Sequence, residues 1–182
     1  MYRSLKCLQI ALDMYIESTR RYTPNFLRGA DRVLASYAGY DWEKFKNEKP
    51  ITNSKVGDYD RIPIMKTENY SIFLIRWFPY SCTTIHRHTT AGCVYKIMEG
   101  SILEQRFKAT VDDLNYSKPS TLKYLPIREL KTNMTQYIDT NECHRIFKNL
   151  PYDSEPLSMK NSYSLHVYEN TGSKYFLNRN NK

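Results

Sequence analysis

Residues 59–182 contain many short β-rich runs: NYSIFLIRWF, CVYKIMEG, SILEQRFKAT, MTQYIDT, HRIFKN, SYSLHVYE and KYFLN. Turn formers such as Glu99-Gly100 and Thr171-Gly172 separate them, and each run is rich in β-branched and aromatic residues. Strands at this spacing build a sandwich or a barrel. The stretch before Pro50 has a different texture. Leu5, Leu8, Ala11, Leu12, Tyr15 and Ile16 recur at helical spacing. A second helix is predicted to begin near Thr23-Pro24, where proline is tolerated in a first turn, and to run through FLRGADRVLASYA. A third, short helical segment, DWEKFKN, would start with Asp41 as its cap. Helices followed by strands predict a mainly β fold in a single domain spanning residues 1–182. A helical cap (residues 1–50) would pack on a β-barrel body (residues 51–182), with 149–161 as a surface loop.

Charge does not point to nucleic acid. The formal net charge is +8, but residues 1–50 hold nine Lys/Arg against six Asp/Glu, residues 51–99 six against four, and residues 100–182 twelve against nine. The excess is spread thinly, with no basic run and no nucleic-acid motif, so a basic solvated surface is expected. No run reaches the length needed to span a bilayer. The apolar stretch LKCLQIALDMYI is interrupted by Gln9 and Asp13 and reads as an amphipathic helix, not a signal peptide. The four cysteines, Cys7, Cys82, Cys93 and Cys143, are not clustered. A disulfide framework is therefore not expected, and a reducing, cytoplasmic setting is.

Chemistry is concentrated in IHRHTTAGCVYKIMEG, residues 85–100. On an extended chain residues i and i+2 point to one face, so His86 and His88 aim two imidazoles together while Arg87 faces away. A third ligand must come from elsewhere, and His144, entering another predicted strand in NECHRIF, can complete a three-histidine face. Three neutral nitrogens leave a divalent metal its charge and its open positions. Imidazole suits Zn, Cu, Fe and Ni alike, so the ligands alone do not choose. Taken singly, Cys93 reads as a buried, inert thiol.

In SYSLHVYE, Tyr163, Leu165 and Val167 alternate on one face, with Ser164, His166 and Tyr168 on the other. The pattern fits two arrangements and, by itself, favours a half-buried strand whose polar face meets water. The hydroxyl–imidazole–phenol row either meets water or lines a barrel interior.

The HxH pair, the acidic or equivalent position after it and the later glycine together resemble the first motif of the cupin barrels, in which a later strand supplies the remaining histidine. Here Cys93 stands in the region of the usual glutamate ligand. The resulting HxHx4C is similar to the cysteine dioxygenases, the thiol-oxidising cupins. The run from Trp77 through Thr84-Ile85-His86-x-His88 to Cys93, Lys96 and Gly100 resembles the animal-type enzymes. So do VLASYAGYDWEKF, QYIDTNECHRI and the Ser164-x-His166-x-Tyr168 row, and the resemblance covers nearly the whole chain. Two departures stand out. Glu169-Asn170-Thr171 replaces the family's Ser-Pro-Pro, and the connection between His144 and Ser164 is longer.

The resemblance implies a cupin (jelly-roll-like) barrel with an N-terminal helical cap. It implies Fe(II) held by His86, His88 and His144, with O2 as co-substrate. Ser164 would bond His166, His166 would orient Tyr168, and the Tyr168 hydroxyl would lie beside the substrate. It further implies a thioether crosslink between Cys93 and Tyr168. Tyr59-Asp60-Arg61 matches the family's Tyr-x-Arg, and the physics suits that role. A guanidinium is an always-charged planar fork that grips a carboxylate through two parallel hydrogen bonds, and Tyr59 could support the same group. By itself Arg61 is one of 27 basic residues. The function implied is oxidation of L-cysteine by O2 to cysteine sulfinate in a monomeric cytoplasmic enzyme, with no nucleic-acid or membrane partner. Alternatives are another small thiol such as 3-mercaptopropionate or cysteamine, a zinc or nickel cupin enzyme, and a non-catalytic binding protein.

Overall fold

In the computed structural model of the chain, residues 1–20, 23, 25–51, 59–88, 91–108, 123–149 and 159–170 are described. The predicted run KYFLN, Pro24, Thr171 and most of the 149–161 connection lie outside them. The first helix forms as its apolar spacing predicts. Helix α1, Leu5–Thr19, buries Leu5, Leu8, Leu12 and Ile16, and the Ser4 side chain accepts from Cys7 N to cap it. None of the described helices is long and apolar enough to cross a membrane.

The rest of the cap differs from expectation. Helix α2 spans only Ala30–Ala35, preceded by Gly29 at φ +93°. Residues 26–29 form turns instead of the predicted helical run. Only glycine enters that backbone region without strain, and the Tyr15 hydroxyl, 2.7 Å from where a Cβ would sit, takes the space. Phe26, Leu27, Ala30 and Leu34 are nevertheless all buried, so the apolar spacing was real although the helix was not continuous. Asp41 does not cap the segment after it. That segment is a 3-10 turn over Glu43–Asn47, with no side-chain cap. The Asp41 carboxylate instead accepts from Leu5 N at 2.8 Å and from the Tyr37 hydroxyl at 2.6 Å. There it satisfies an orphan donor in the first turn of α1, where a negative charge is favoured.

The body is two antiparallel sheets. Strands β1 (Tyr59–Lys66), β2 (Tyr70–Trp77), β3 (Cys93–Glu99), β7 (Thr135–Ile138) and β9 (Ser162–Glu169) form a five-stranded sheet in the order β1-β2-β9-β3-β7. The second sheet is built on β4 (Ser101–Lys108). It is flanked by β5 (Lys123–Tyr124) and β6 (Arg128–Lys131) along one edge and by β8 (Glu142–Phe147) along the other. The sheets meet across Gly100, at φ +76°, where the Ser162 hydroxyl leaves no room for a side chain. The expected mainly β cupin barrel with an N-terminal helical cap is thus the observed architecture.

Strand β1 was not among the predicted runs. Pro63 removes a ladder donor, and β1 sits at the sheet edge with a register shift between Pro63 and Met65. Those are the places where a strand tolerates proline. Strand β2 reads as a nearly unbroken apolar run because both of its faces are covered. On one face Ile72 and Leu74 join Leu165, Val167 and the helices in one core. On the other, Ile75 and Trp77 meet Cys93, Ile102 and Ile146 between the sheets. Lys96, buried on β3, donates to the carbonyls of Ala35 at 3.0 Å and Tyr37 at 2.6 Å. It closes the last turn of α2 and ties the helical cap to the barrel.

Candidate metal centre

The HxH pair converges without lying on a strand. Residues 81–86 run beside β8 through single bonds: Thr83 N to Ile146 O, His86 N to His144 O, and His144 N to His86 O at 2.8 Å. This exchange of backbone bonds sets His86 directly opposite His144, and His88 follows onto the same face. Ring centroids lie 4.6 Å apart for His86–His144 and 5.0 Å for the two other pairs. One ring nitrogen of each histidine lies within 4.8 Å of the others. Cys93 does not belong to this group.

The hydrogen bonds at the outer nitrogens show how the rings are turned. His86 Nδ1 lies 2.9 Å from the Thr84 carbonyl, which can only accept, so Nδ1 carries the proton and Nε2 is bare. His144 Nδ1 lies 2.9 Å from Glu104 Oε1 and is likewise the donor. Its Nε2 faces His88 Nε2 at 2.9 Å. Two imidazole nitrogens so close, beside a third bare one, form a donor set suited to a divalent cation, and the residues therefore fit the metal that the sequence implies.

Burial favours the neutral form of His86, His88 and His166. It lowers His86 to about 4, helped by the neighbouring His144 and partly opposed by the bond to Thr84. Burial also pushes His88 and His166 well below the ordinary histidine value. Burial alone would raise Glu104, but the hydrogen bond from His144, the Arg106 guanidinium and the Tyr95 hydroxyl outweigh it and hold the carboxyl at about 2. The sign of the pH effect follows. Below 6.5 the unfolded chain takes up a proton that folded His86 refuses until about pH 4. That stability is complete above 6.5 and is lost as pH falls toward 4. The Glu104 contribution persists to lower pH, being lost only as pH falls from near 4.5 through about 2. Urea unfolding of the chelator-treated protein should therefore show a loss between pH 7.5 and pH 5. His86 alone should account for on the order of 1–2 kcal/mol, after discounting for its partial exposure. A flat profile across that interval would contradict the buried, neutral arrangement of the rings.

The Ser164, His166 and Tyr168 side chains face the barrel interior from β9. Ser164 Oγ lies 2.8 Å from His166 Nε2, and Tyr168 Oη lies 2.9 Å from His166 Nδ1. The row thus lines the interior instead of meeting water. Trp77 Nε1 donates to Ser164 Oγ at 2.8 Å. The small cavity between the rows is walled by the three histidines on one side and by Tyr59, Trp77 and Tyr168 on the other. Ile75 and Ile146 add apolar surface. The Arg61 guanidinium packs over Phe73 at 4.5 Å and beside the Tyr168 ring at 5.3 Å. Cys93 is fully buried and stands directly across from Tyr168 in the β3–β9 register. Burial pushes its thiol up.

The departure after Tyr168 has a structural counterpart. Glu169 accepts from Ala91 N at 3.2 Å, and Asn170 Nδ2 donates to the carbonyls of Thr67 and Tyr70. These two side chains hold the end of β9 against the β1–β2 turn and the segment before Cys93.

Sequence reading missed Glu104 and Tyr95. Ile102, Glu104 and Arg106 share a face of β4, so a charged pair at interior positions of a strand was the available signal.

A family model for cysteine dioxygenase type I matches residues 53–172, well over half of the chain. The chain belongs to that family. Cysteine dioxygenase type I membership places it among metal-dependent cupin dioxygenases, with the three-histidine group positioned to bind the metal. Similar solved structures include BH2720 from Bacillus halodurans, at 10% identity over 74% of this chain and 80% of that one, TM-score 0.48. Another is oxalate oxidase, at 16% identity over 68% of this chain and 56% of that one, TM-score 0.46. A third is a cupin-2 domain protein from Shewanella frigidimarina, at 13% identity over 65% and 85%, TM-score 0.40. No curated protein matches the chain.

Proposed function

We propose that the chain is an iron-dependent thiol dioxygenase that converts L-cysteine and O2 to cysteine sulfinate, both oxygen atoms ending on sulfur. One observation carries the reading: the three-histidine group faces the Ser164–His166–Tyr168 row across one small cavity, with Arg61 packed beside Tyr168. Bound iron would supply deprotonation of the substrate thiol and activation of dioxygen.

The protein's own part is orientation. Arg61 offers a permanently charged fork to the substrate carboxylate, and Tyr59 on the same edge strand offers a hydroxyl beside it. The reading gives the hydrogen-bond chain one direction. The Trp77 indole can only donate, so it occupies a lone pair of Ser164. In this reading the Ser164 hydroxyl donates a hydrogen bond to His166 Nε2, and the neutral imidazole carries its own proton on Nδ1. His166 donates to Tyr168 Oη, and the tyrosine's own proton is directed into the cavity as a hydrogen bond to the reacting oxygen. Apolar walls at Ile75 and Ile146 exclude water from that exchange.

The cross-strand placement of Cys93 and Tyr168 supports a thioether between Sγ and the tyrosine ring. Its formation removes the thiol hydrogen and one ring hydrogen, and O2 accepts both as hydrogen peroxide. The deciding experiment is oxygen uptake by Fe(II)-loaded protein with L-cysteine, 3-mercaptopropionate and cysteamine, with sulfinate identified. Sulfinate formed preferentially from cysteine is the expected result. No sulfinate from any thiol at full iron occupancy would overturn the reading.

A further inference from the structure

Glu104 is a carboxylate only 1% exposed, and burying a charge is costly unless directed donors surround it. Here three do. Oε1 accepts from the Tyr95 hydroxyl at 2.7 Å and from His144 Nδ1 at 2.9 Å, and Oε2 accepts from Arg106 Nε at 3.0 Å. Arg106 is itself braced, by Glu142 at 3.0 Å and Gln136 at 2.9 Å. An apolar side chain at position 104 would fill the space between the sheets without any of this. Tyr95 has a second contact. Its ring lies parallel to that of His166, with centroids 4.8 Å apart and planes 8° apart. One fully buried side chain therefore touches both halves of the site, through its hydroxyl to the carboxylate behind a histidine of the metal group and through its face to the centre of the Tyr168 row.

We infer that Glu104 and Tyr95 are a paired positioning element. Glu104 sets the tautomer in which His144 presents Nε2 to the metal, and Tyr95 couples that setting to the orientation of His166. This rests on the three histidines holding a metal. Because Tyr95 and His144 share a single carboxylate oxygen, loss of the Tyr95 hydroxyl frees Glu104 to shift, and His144 shifts with it. Loss of the Tyr95 ring in addition removes the surface that keeps the His166 plane in line with Tyr168.

The test uses the full chain and reads metal binding and tautomer, not turnover. Anaerobic Fe(II) titration should give a dissociation constant 10- to 100-fold weaker for Glu104→Ala than for wild type, the range found when such outer partners are removed. Glu104→Gln keeps a carbonyl acceptor for Nδ1 and should recover most of that loss. Tyr95→Phe keeps the ring stack and should weaken binding about threefold or more. With 15N-labelled histidine, the metal-free wild type should show His144 protonated at Nδ1, Glu104→Ala should lose that tautomer, and Glu104→Gln should retain it. A folded Glu104→Ala protein with wild-type affinity and an unchanged His144 tautomer overturns the inference. If Glu104→Ala does not fold, wild-type affinity in Tyr95→Phe overturns it equally. A wild-type protein that takes up no Fe(II) removes the metal reading and this inference together. That outcome is separated from the others by the wild-type titration itself.

Discussion

His86→Ala is expected to leave a folded protein that retains less than about one-tenth of the wild-type metal and has lost essentially all turnover. Three imidazoles are the whole of the donor set in the described structure, so removing one leaves two neutral ligands for a divalent ion. Loss of an outer partner alone weakens metal binding ~10- to 100-fold, and loss of a ligand should cost at least as much. His86 is the cleanest of the three to remove. It is partly exposed, unlike the buried His144, and its outer nitrogen is held only by the Thr84 carbonyl on an exposed residue. His144→Ala would instead strand the buried Glu104 carboxylate and confuse metal loss with unfolding. Metal content after dialysis, with circular dichroism as the folding control, checks the expectation. Stoichiometric iron together with full activity in His86→Ala would remove His86 from the metal centre.

Arg61→Gln should lower kcat/KM for L-cysteine by about 10²–10³-fold, chiefly through KM, while turnover of cysteamine changes little. A charge-assisted bidentate grip on a carboxylate contributes roughly 3–4 kcal/mol relative to its truncation, which corresponds to that range. Cysteamine has no carboxylate to lose. The comparison therefore separates substrate recognition from a general disturbance of the site, such as loss of the guanidinium packing over Phe73. Steady-state kinetics with both thiols measures it. Equal effects on the two would assign Arg61 a structural place beside Tyr168 and no place in substrate binding.

The parts of the site that were legible beforehand are those written in a period of two. Ser164, His166 and Tyr168 alternate with Tyr163, Leu165 and Val167, so the two faces of the strand were legible, while the covering of both faces was decided by the packed sheets and helices. The same logic paired His86 with His88, although the backbone that carries them bonds to β8 only in single bridges. What local pattern could not carry was partnership across the sheets. Glu104 is 40 residues from His144 in the chain, and Tyr95 is 71 from His166. Nothing in SILEQRF or CVYKIMEG says that these strands bring a carboxylate behind one imidazole and a ring against another. Strand β1 was hidden by Pro63, whose cost depends on whether the strand is central or at an edge, and that is a property of the sheet.

Residue types and their spacing determined by themselves the mainly β class, the helical cap and the shared face of His86 and His88, and they sorted β9 into two faces without saying which one looks inward. Each of these follows from a one-dimensional rule, side-chain direction along a strand or apolar recurrence along a helix. Tertiary structure alone decided that the helical run breaks at Gly29, where Tyr15 packs, and that Asp41 caps α1 from a distance. It alone decided that Lys96 closes α2, and that Glu104 and Tyr95 join the metal group to the Tyr168 row. Those are contacts between segments far apart in the chain. Their physical basis is the satisfaction of buried donors, acceptors and charges, which is fixed only once the sheets have met.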